Sequence, residues 1–359
     1  MALADQHPTS DSELVEGHIL PCQAIEALIV DKAISLARPA ADGQIQPASL
    51  DLRLGEKAYR IRASFLPGPR TSVSDKLQSL ALHEIDLKDG AVLEVGCVYL
   101  VPLLESLDLP GGLSAACNPK SSTGRLDVFT RVIADKAQAF DQVDAGYAGP
   151  LYAEICPQTF PVLVRTGSRL SQVRFREGSA PQGSPATEAG AGIDLSVDLA
   201  GDPDSGFIGY RAKRHTGVVD VDAPGAYDIA EFWEPIHAGA QTRLILDPDQ
   251  FYILASKEAV AVPPTHAAEM VPFNPLVGEF RVHYAGFFDP GFGYSGAGGE
   301  GSKAVLEVRS HKVPFILEDG QIIGRLIYEP LTEAPAQVYG QDIGSHYQAQ
   351  GLKLSKHFK

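Results

Sequence analysis

The segment from Asn118 to Arg125 carries the densest set of side chains that could act on a phosphorylated ligand. It reads NPKSSTGR, so two adjacent hydroxyls, Ser121 and Ser122, lie between two cations, Lys120 and Arg125. Its proline and glycine indicate a turn, in which backbone N–H groups beside hydroxyls and cations form an anion-binding concavity. Taken alone, such a loop is more often a solvated Ser/Thr turn. The segment therefore indicates an anion site only in combination with its surroundings.

Two carboxylates stand inside apolar, strand-like segments and could move protons. Glu154 occurs in LYAEI, and Glu307 occurs in AVLEV. One carboxylate can act first as a base and then as an acid, a shuttle that contributes roughly 10²–10⁴-fold to a rate. From its neighbours alone, Glu154 is better explained as an exposed strand residue.

The motifs of zinc-dependent nucleobase deaminases are absent. The H-x-E motif does not occur, and Pro21-Cys22 is not followed by the second cysteine of P-C-x-x-C. The HExxH motif and paired Cys/His ligand spacings are missing as well. We therefore expect no zinc and no metal site built by the protein itself.

The chain contains two similar halves. Three residues of the first half recur 153 positions later in the second, in the same order: Tyr99 and Tyr252, Glu105 and Glu258, and Gly167 and Gly320. Glu154 and Glu307 have the same offset. Ordered matches of this kind predict a tandem duplication. A stretch rich in Gly, Ala, Pro and Ser separates the halves, so we predict domains at residues 1–178 and 188–359.

The elements that must position these side chains are predicted to be strands. Segments such as FPVLVR and QIIGRLIYE are short, apolar or alternating, and bounded by Gly or Pro. The chain has 35 Gly and 26 Pro among its 359 residues, which favours many short strands over long helices. We predict a mainly β fold, a distorted barrel or sandwich in each half, with a few short helices, one of them at residues 21–34.

Several motifs together resemble the dCTP deaminases of the dUTPase-like superfamily. They are SLDLRLG at 49–55, LESLDLP at 104–110, KSSTGRLD at 120–127, VIAD at 132–135, DAGYAG at 144–149, LYAEI at 151–155, GQIIGRLIYEPL at 320–331 and VYGQDIGSHYQAQG at 338–351. The resemblance implies two dUTPase-like domains in tandem. It also implies zinc-independent hydrolysis of dCTP to dUTP and ammonia, which supplies deoxyuridine nucleotides for thymidylate synthesis.

The resemblance also implies roles for individual residues. Glu154 matches the catalytic glutamate, with Ser121 and Arg125 as its partners. The implied substrate-binding residues are Lys120 near the phosphates, Ala134 at the pyrimidine, Asp144 near the deoxyribose, and Tyr347 and Gln350 in a tail over the triphosphate. Ser122 and Tyr147 are also expected to bind the substrate. Magnesium is expected to arrive on the substrate triphosphate, since no dedicated carboxylate cage is evident.

The second half departs from the family pattern. Between Pro263 and Asp289 it lacks a Ser-Ser-x-x-Arg motif, although it retains Glu307. The simplest hypothesis gives the chemistry to the first half, and shape, oligomer contacts and the lid to the second. The alternative makes Glu307 the working base, reached across an interface by Ser121 and Arg125. Because family members are trimers with sites between subunits, the resemblance implies a homo-oligomer, a trimer or a multiple of it.

Two other functions fit the same motifs. Relatives with this fold hydrolyse dUTP to dUMP and diphosphate, and some carry out both reactions, with Mg²⁺ bridging the phosphates. A catalytically silent nucleotide-binding protein is the other alternative. Diphosphate release and ammonia release distinguish the three.

Composition excludes several classes of partner. The formal net charge of −15 disfavours binding of a polymeric nucleic acid, which requires clustered Lys and Arg. No apolar run approaches the ~20 residues of a membrane helix, and the N-terminus lacks the order of a signal peptide. Four cysteines without a CxxC pair are expected to be free thiols. We expect a cytoplasmic protein that binds dCTP and dUTP and no membrane.

Overall fold

The computed structural model describes residues 17–178, 192–239, 241–272, 280–283, 286–295, 301–310, 312–340 and 352–359. We call residues 17–178 the N-half and the described residues from 192 onward the C-half. The predicted linker and the tail residues Tyr347 and Gln350 lie outside the described residues. The predicted domain boundary therefore stays a prediction.

The N-half consists of short strands and three helices. In chain order these are β1 (His18–Ile19), α1 (Cys22–Val30), β2 (Ile34–Leu36), β3 (Ile45–Gln46), β4 (Ser49–Arg53), β5 (Lys57–Ile61), α2 (Val73–Leu80), β6 (Ala81–Asp86), β7 (Ala91–Leu93), β8 (Tyr99–Asp108), β9 (Leu113–Pro119), α3 (Ser121–Gly124), β10 (Val128–Ala134), β11 (Gln142–Val143), β12 (Ala148–Pro157), β13 (Val162–Val164) and β14 (Arg169–Glu177). One sheet has the order β11-β9-β14-β4-β3, and another has the order β10-β12-β8-β5-β6.

The described part of the C-half is built in the same way. Its elements are β15 (Gly192–Ser196), β16 (Phe207–Ala212), β17 (Val219–Asp220), α4 (Ile229–Phe232), β18 (Trp233–His237), β19 (Arg243–Leu246), β20 (Phe251–Val260), β21 (His266–Pro272), β22 (Phe280–His283), β23 (Phe287–Phe288), β24 (Ser302–Ser310), β25 (Phe315–Glu318) and β26 (Ile322–Pro330). Its two larger sheets have the orders β23-β21-β26-β15 and β22-β24-β20-β16-β18.

Most strands of the two larger sheets recur in the same order in both halves. The order β11-β9-β14-β4 matches β23-β21-β26-β15, and β10-β12-β8-β5-β6 matches β22-β24-β20-β16-β18. Even single hydrogen bonds recur: Glu94 N donates to the Tyr99 hydroxyl over 3.1 Å, and Asp247 N donates to the Tyr252 hydroxyl over 3.0 Å. The prediction of a mainly β fold with a few short helices is confirmed.

Helix α1 is shorter than the predicted segment 21–34. It starts after Pro21 and buries Cys22 and Ile25, and Ile25 packs in the N-half core. Lys32 has φ +64°, a left-handed conformation that a helix cannot continue. The chain then enters β2 at Ile34.

The halves share a hydrophobic core in addition to having one each. Phe160 and Val162 of the N-half pack in one cluster with Trp233 and Phe251 of the C-half. Strand β17 also extends the N-half pair β7–β13 by parallel pairing with β13. Because apolar burial is the main favourable term in such contacts, the shared cluster fixes the two halves against each other.

Candidate functional site

A cavity of about 470 Å³ lies between the two halves. Volumes of this size hold small molecules in proteins, where known sites span about 300–1,000 Å³. The N-half lines it with Lys120, Ser121, Ser122, Arg125, Arg169 and Gln172, among others. The C-half contributes Phe287, Asp289, Glu307 and Lys356 to the opposite walls. The site is therefore composed of residues from both repeats of a single chain.

Residues Ser121 to Arg125, which we call the hydroxyl–arginine motif, are held in place by residues of both halves. Strand β9 ends at Pro119, and the next residues form the single turn α3, with Ser122 buried and Ser121 half-buried. Arg125 follows this turn and is buried, and its Nη1 donates to the Lys353 carbonyl over 2.8 Å. The Ser355 hydroxyl donates to the Ser122 carbonyl over 2.8 Å. The C-terminal segment thus fixes the backbone of this motif.

Glu307 faces Arg125 across the cavity. It lies on β24 with only 4% of its surface exposed, and its Oε1 is 3.8 Å from the Nε of Arg125. Burial raises the pKa of Glu307 to about 8, and the Arg125 charge opposes this rise only in part. Glu307 is consequently protonated at neutral pH in the free protein. A neutral buried carboxyl beside a fixed cation can donate a proton to a bound base.

Asp289 is a second buried carboxylate in the C-half wall. It follows β23, and its Oδ1 is 3.5 Å from Nη2 of Arg174, an N-half residue. Burial raises the pKa of Asp289, while Arg174 and Lys120 lower it and Asp51 raises it further. Among the described residues, Oδ1 of Asp289 receives no hydrogen bond. Its contact with Arg174 is therefore electrostatic, and Asp289 adds a buried carboxylate to the cavity wall.

Cations concentrate at another part of the cavity wall. Lys120 pairs with the buried Asp51, and Nη1 of Arg169 is 3.5 Å from the same carboxylate. Burial lowers the pKa of Lys356, and the charges of Lys120 and Arg169 lower it further. Asp42 and Asp222 also line the cavity, so its charged side chains are of both signs. Lys120, Arg169 and Lys356 are the groups in this part of the wall that can bind an anion.

The structure brings together only part of the predicted site. Lys120, Ser121, Ser122 and Arg125 line the cavity, but Glu154 does not. The predicted grouping of Glu154 with Ser121 and Arg125 is not found within the chain. Arg125 instead faces the carboxylate that occupies the equivalent position of the second repeat.

Glu154 is occupied elsewhere in the N-half. It lies on β12 opposite Arg131 of β10, and Arg131 donates to its Oε1 from Nε over 3.1 Å and from Nη2 over 2.5 Å. The Arg131 guanidinium also stacks on the ring of Phe140, 3.5 Å from its centroid. Glu154 itself is 1% exposed. It is a buried, ion-paired side chain, and not the exposed strand residue that its neighbours alone indicate.

Three further predicted residues, Ala134, Asp144 and Tyr147, are not among the residues that line the cavity. Ala134 is buried at the end of β10, and Asp144 is exposed in the turn before β12. The Tyr147 hydroxyl donates to the Pro150 carbonyl over 2.6 Å and accepts from the Asp135 N–H. These contacts are local to the N-half.

The sequence-based assignment omitted Asp289, Phe287, Arg169 and Lys356, which line the cavity. The 153-residue offset between Glu154 and Glu307 and the DAGY–DPGF match between repeats were the available signals for the C-half wall. No pattern in the sequence signals Arg169 or Lys356.

Two properties concern metals and membranes. Within the described ranges, no three His, Cys, Asp or Glu side chains cluster as ligands for a metal ion. None of the helices in the described residues has the length and apolar character needed to cross a membrane.

Comparisons with known proteins identify the family to which both halves are similar. The family model of the N-terminal domain of 2'-deoxycytidine 5'-triphosphate deaminase matches residues 16–179, and that of the C-terminal domain matches residues 168–358. A dCTP deaminase of Halorubrum lacusprofundi is 31% identical over 147 residues, covering 40% of this chain and 69% of the relative. A dUMP-forming dCTP deaminase of Beutenbergia cavernae is 28% identical over 159 residues, covering 44% of this chain and 78% of the relative.

A solved structure covers nearly all of the fold. The crystal structure of 2'-deoxycytidine 5'-triphosphate deaminase from Agrobacterium tumefaciens superposes with a TM-score of 0.83 at 60% sequence identity. The match covers 88% of this chain and 99% of that chain. The chain belongs to the 2'-deoxycytidine 5'-triphosphate deaminase family.

Proposed function

We propose that this chain hydrolyses dCTP to dUTP and ammonia in the cavity between its halves, with Glu307 as the proton-transferring residue. One observation carries the proposal: Ser121 and Arg125 of the N-half line the same cavity as the buried Glu307 of the C-half, with Arg125 and Glu307 3.8 Å apart. The family membership of the chain supports the choice of dCTP as substrate.

The protonation state of Glu307 suits the first step. Its neutral carboxyl donates a proton to N3 of cytosine, which makes C4 more electrophilic. The resulting carboxylate then accepts a proton from the water that attacks C4. Glu307 passes this proton to the exocyclic nitrogen, and ammonia leaves. The proton of the remaining C4 hydroxyl returns to the Glu307 carboxylate as the C4 carbonyl forms, which restores the neutral carboxyl.

Ser121 and Arg125 support this transfer from the N-half. The Arg125 charge stabilises the transient Glu307 carboxylate, because the two groups face each other in a buried site. The half-buried Ser121 hydroxyl can hold the attacking water. This arrangement places the cation next to charge that develops only during reaction, where it contributes most to the rate.

The triphosphate end fits the cations of the cavity. Lys120, Arg169 and Lys356 line it and would contact the phosphates, which bind guanidinium and ammonium groups strongly. The Asp51 carboxylate is already paired with Lys120 and lies near Arg169. Because Asp51 is engaged by these cations, we propose that Mg²⁺ reaches the site bound to the substrate triphosphate. We propose that the reaction needs no zinc, since the sequence lacks the H-x-E and P-C-x-x-C motifs.

In this proposal Glu154 has a structural role. Its carboxylate is paired with Arg131 and does not line the cavity. The two repeats thus divide the work: the N-half supplies the hydroxyl–arginine motif, and the C-half supplies the proton-transferring carboxyl and the Asp289 wall.

The test compares Glu307→Gln with Glu154→Gln, two identical changes at equivalent positions of the repeats. Ammonia and dUTP formation from dCTP are measured with Mg²⁺ after treatment with a zinc chelator. We expect Glu307→Gln to lose at least about 10²-fold in kcat while Glu154→Gln, if folded, stays close to the unmodified protein. Full activity in Glu307→Gln would refute its assignment, and loss of activity after chelation would refute the zinc-free reaction.

A second activity is suggested by the match to the dUMP-forming relative. In that case the chain would also cleave dUTP to dUMP and diphosphate. The same reaction mixtures decide this when diphosphate is measured beside ammonia. Equal release of both products would assign the bifunctional reaction.

A further inference from the structure

Strand β14 of the N-half carries three polar side chains on the face that is turned towards the cavity and the C-half. Gln172, Arg174 and Arg176 alternate with Val173 and Phe175, and the latter two are buried in the N-half core. Residues two apart in a strand point to the same face, so the three polar side chains share the outer face. Gln172 lines the cavity, and Arg176 pairs with Glu329 of the C-half.

Arg174, the middle residue of this row, is only 1% exposed and is held mainly by carbonyl groups. Its Nη1 donates to Ala268 O over 3.1 Å, its Nη2 to Phe288 O over 3.3 Å, and its Nε to Ala48 O over 3.3 Å. Its guanidinium carbon lies 4.0 Å from the centroid of the Phe287 ring.

These contacts concentrate on one short stretch of the C-half. Arg174 stacks on Phe287, binds the carbonyl of Phe288 and lies 3.5 Å from the carboxylate of Asp289. All three of these residues line the cavity, whereas Arg174 lies behind them. The stretch therefore receives a stacking, a hydrogen-bonding and an electrostatic contact from a single side chain of the other half.

Adhesion of the two halves does not explain a buried guanidinium at this position. Removing a charge from water is costly, and apolar residues of similar volume often serve an interface equally well or better. The planar, five-donor fork of arginine is suited instead to fixing several acceptors in one geometry. Such fixing matters where a wall must keep its position relative to reacting groups.

We propose that Arg174 is a positioning residue for the reaction, holding the wall formed by Phe287, Phe288 and Asp289 in the orientation that binds the nucleoside part of the substrate. The inference rests on the proposed function, because it takes the cavity to be the deaminase site. Arg174 itself touches no reacting atom in this scheme. Its effect passes through the backbone of the wall and through the Asp289 carboxylate.

The test uses Arg174→Met, which keeps the volume and loses the fork, and Arg174→Lys, which keeps the charge and loses the fork. Arg176→Met is the matched control, since it removes an ion pair with the C-half from the same face of β14 without touching the wall. Steady-state kinetics with dCTP are combined with calorimetric titration of dCTP. Unfolding curves report the stability of each variant.

We expect Arg174→Met to lower kcat/KM by about 10²-fold, since displacing a wall by about 1 Å has this effect. KM and the dissociation constant of dCTP should rise together, with a smaller change in kcat. The acidic limb of the pH profile should move to higher pH, because Asp289 loses the Arg174 cation that lowers its pKa while Lys120 and Asp51 remain. Arg174→Lys should restore the acidic limb and only part of kcat/KM.

Several results would overturn the inference. One is equal losses in Arg174→Met and Arg176→Met, which would reduce Arg174 to an interface residue. Another is wild-type kcat/KM in Arg174→Lys, which would exclude the planar contacts. If the unmodified protein forms no dUTP, the proposed function fails instead. The calorimetric comparison of the Arg174 variants with Arg176→Met still decides whether Arg174 shapes the cavity.

Discussion

Replacing Glu307 by glutamine is expected to stabilise the ligand-free protein increasingly as the pH rises. The pKa of this carboxyl is raised by burial to about 8, from 4.5 for a free glutamate. Between these two values the folded protein holds a proton that the unfolded chain has released. The contribution of Glu307 to the free energy of unfolding is therefore fully present below about pH 4.5, and it declines as the pH rises towards 8. Glutamine cannot ionise, so its substitution removes this decline.

The size of the effect follows from the two pKa values. Their difference corresponds to about 5 kcal/mol of unfolding free energy when the carboxyl is fully ionised in both states. By the same linkage, Glu307→Gln should exceed the unmodified protein by roughly 1 kcal/mol at pH 5, 3 kcal/mol at pH 7 and 5 kcal/mol at pH 9. All other ionisable groups are common to both proteins, so their contributions cancel in the difference.

Urea unfolding of both proteins at these three pH values measures the difference. Glu154→Gln is the control, because it has the same change of side chain at the equivalent strand position. Glu154 is buried and paired with Arg131, so removal of its charge should destabilise the protein by about 3 kcal/mol. A Glu307→Gln advantage that does not grow between pH 5 and 9 would refute the raised pKa. It would also remove the neutral carboxyl from the proposed mechanism.

Two further predictions concern the contacts that hold the site and the repeats. The half-buried Phe358 packs edge-to-face on Trp233, with ring centroids 5.7 Å apart. Phe358→Ala should therefore lower the free energy of unfolding by about 2 kcal/mol, and it should lower deaminase activity because the same C-terminal segment fixes the hydroxyl–arginine motif. Phe358→Leu should retain most of the stability and activity, as measured by urea unfolding and ammonia release. Glu105 and Glu258 occupy equivalent positions, but Glu105 is buried and ion-paired to Arg53, whereas Glu258 is half-buried and binds a serine. Glu105→Gln should therefore lower the free energy of unfolding by about 3–5 kcal/mol, and Glu258→Gln by about 1 kcal/mol. Equal unfolding midpoints of the two variants would contradict this prediction.

The repeat and the class of fold were accessible from the sequence because they depend on local patterns. Alternating and apolar segments bounded by Gly and Pro predict strands wherever they occur. Tyr99 and Tyr252 occupy equivalent positions because each begins or follows the start of the same strand in its half, and each hydroxyl accepts the same backbone hydrogen bond. The extent of α1 was overestimated, because the left-handed conformation at Lys32 is not signalled by its residue type.

The sequence by itself also determined half of the site, since the residues from Lys120 to Arg125 are contiguous and lie on one turn between two strands. The partner of that motif could be decided only by the tertiary structure. Glu154 and Glu307 are equivalent in sequence, and nothing local distinguishes them. The packing of the N-half motif against the C-half wall brings Arg125 to Glu307, while the register of β10 and β12 pairs Glu154 with Arg131. Glu307 is buried beside Arg125 because of how the two halves pack against each other. Glu154 is ion-paired to Arg131 within its own sheet instead.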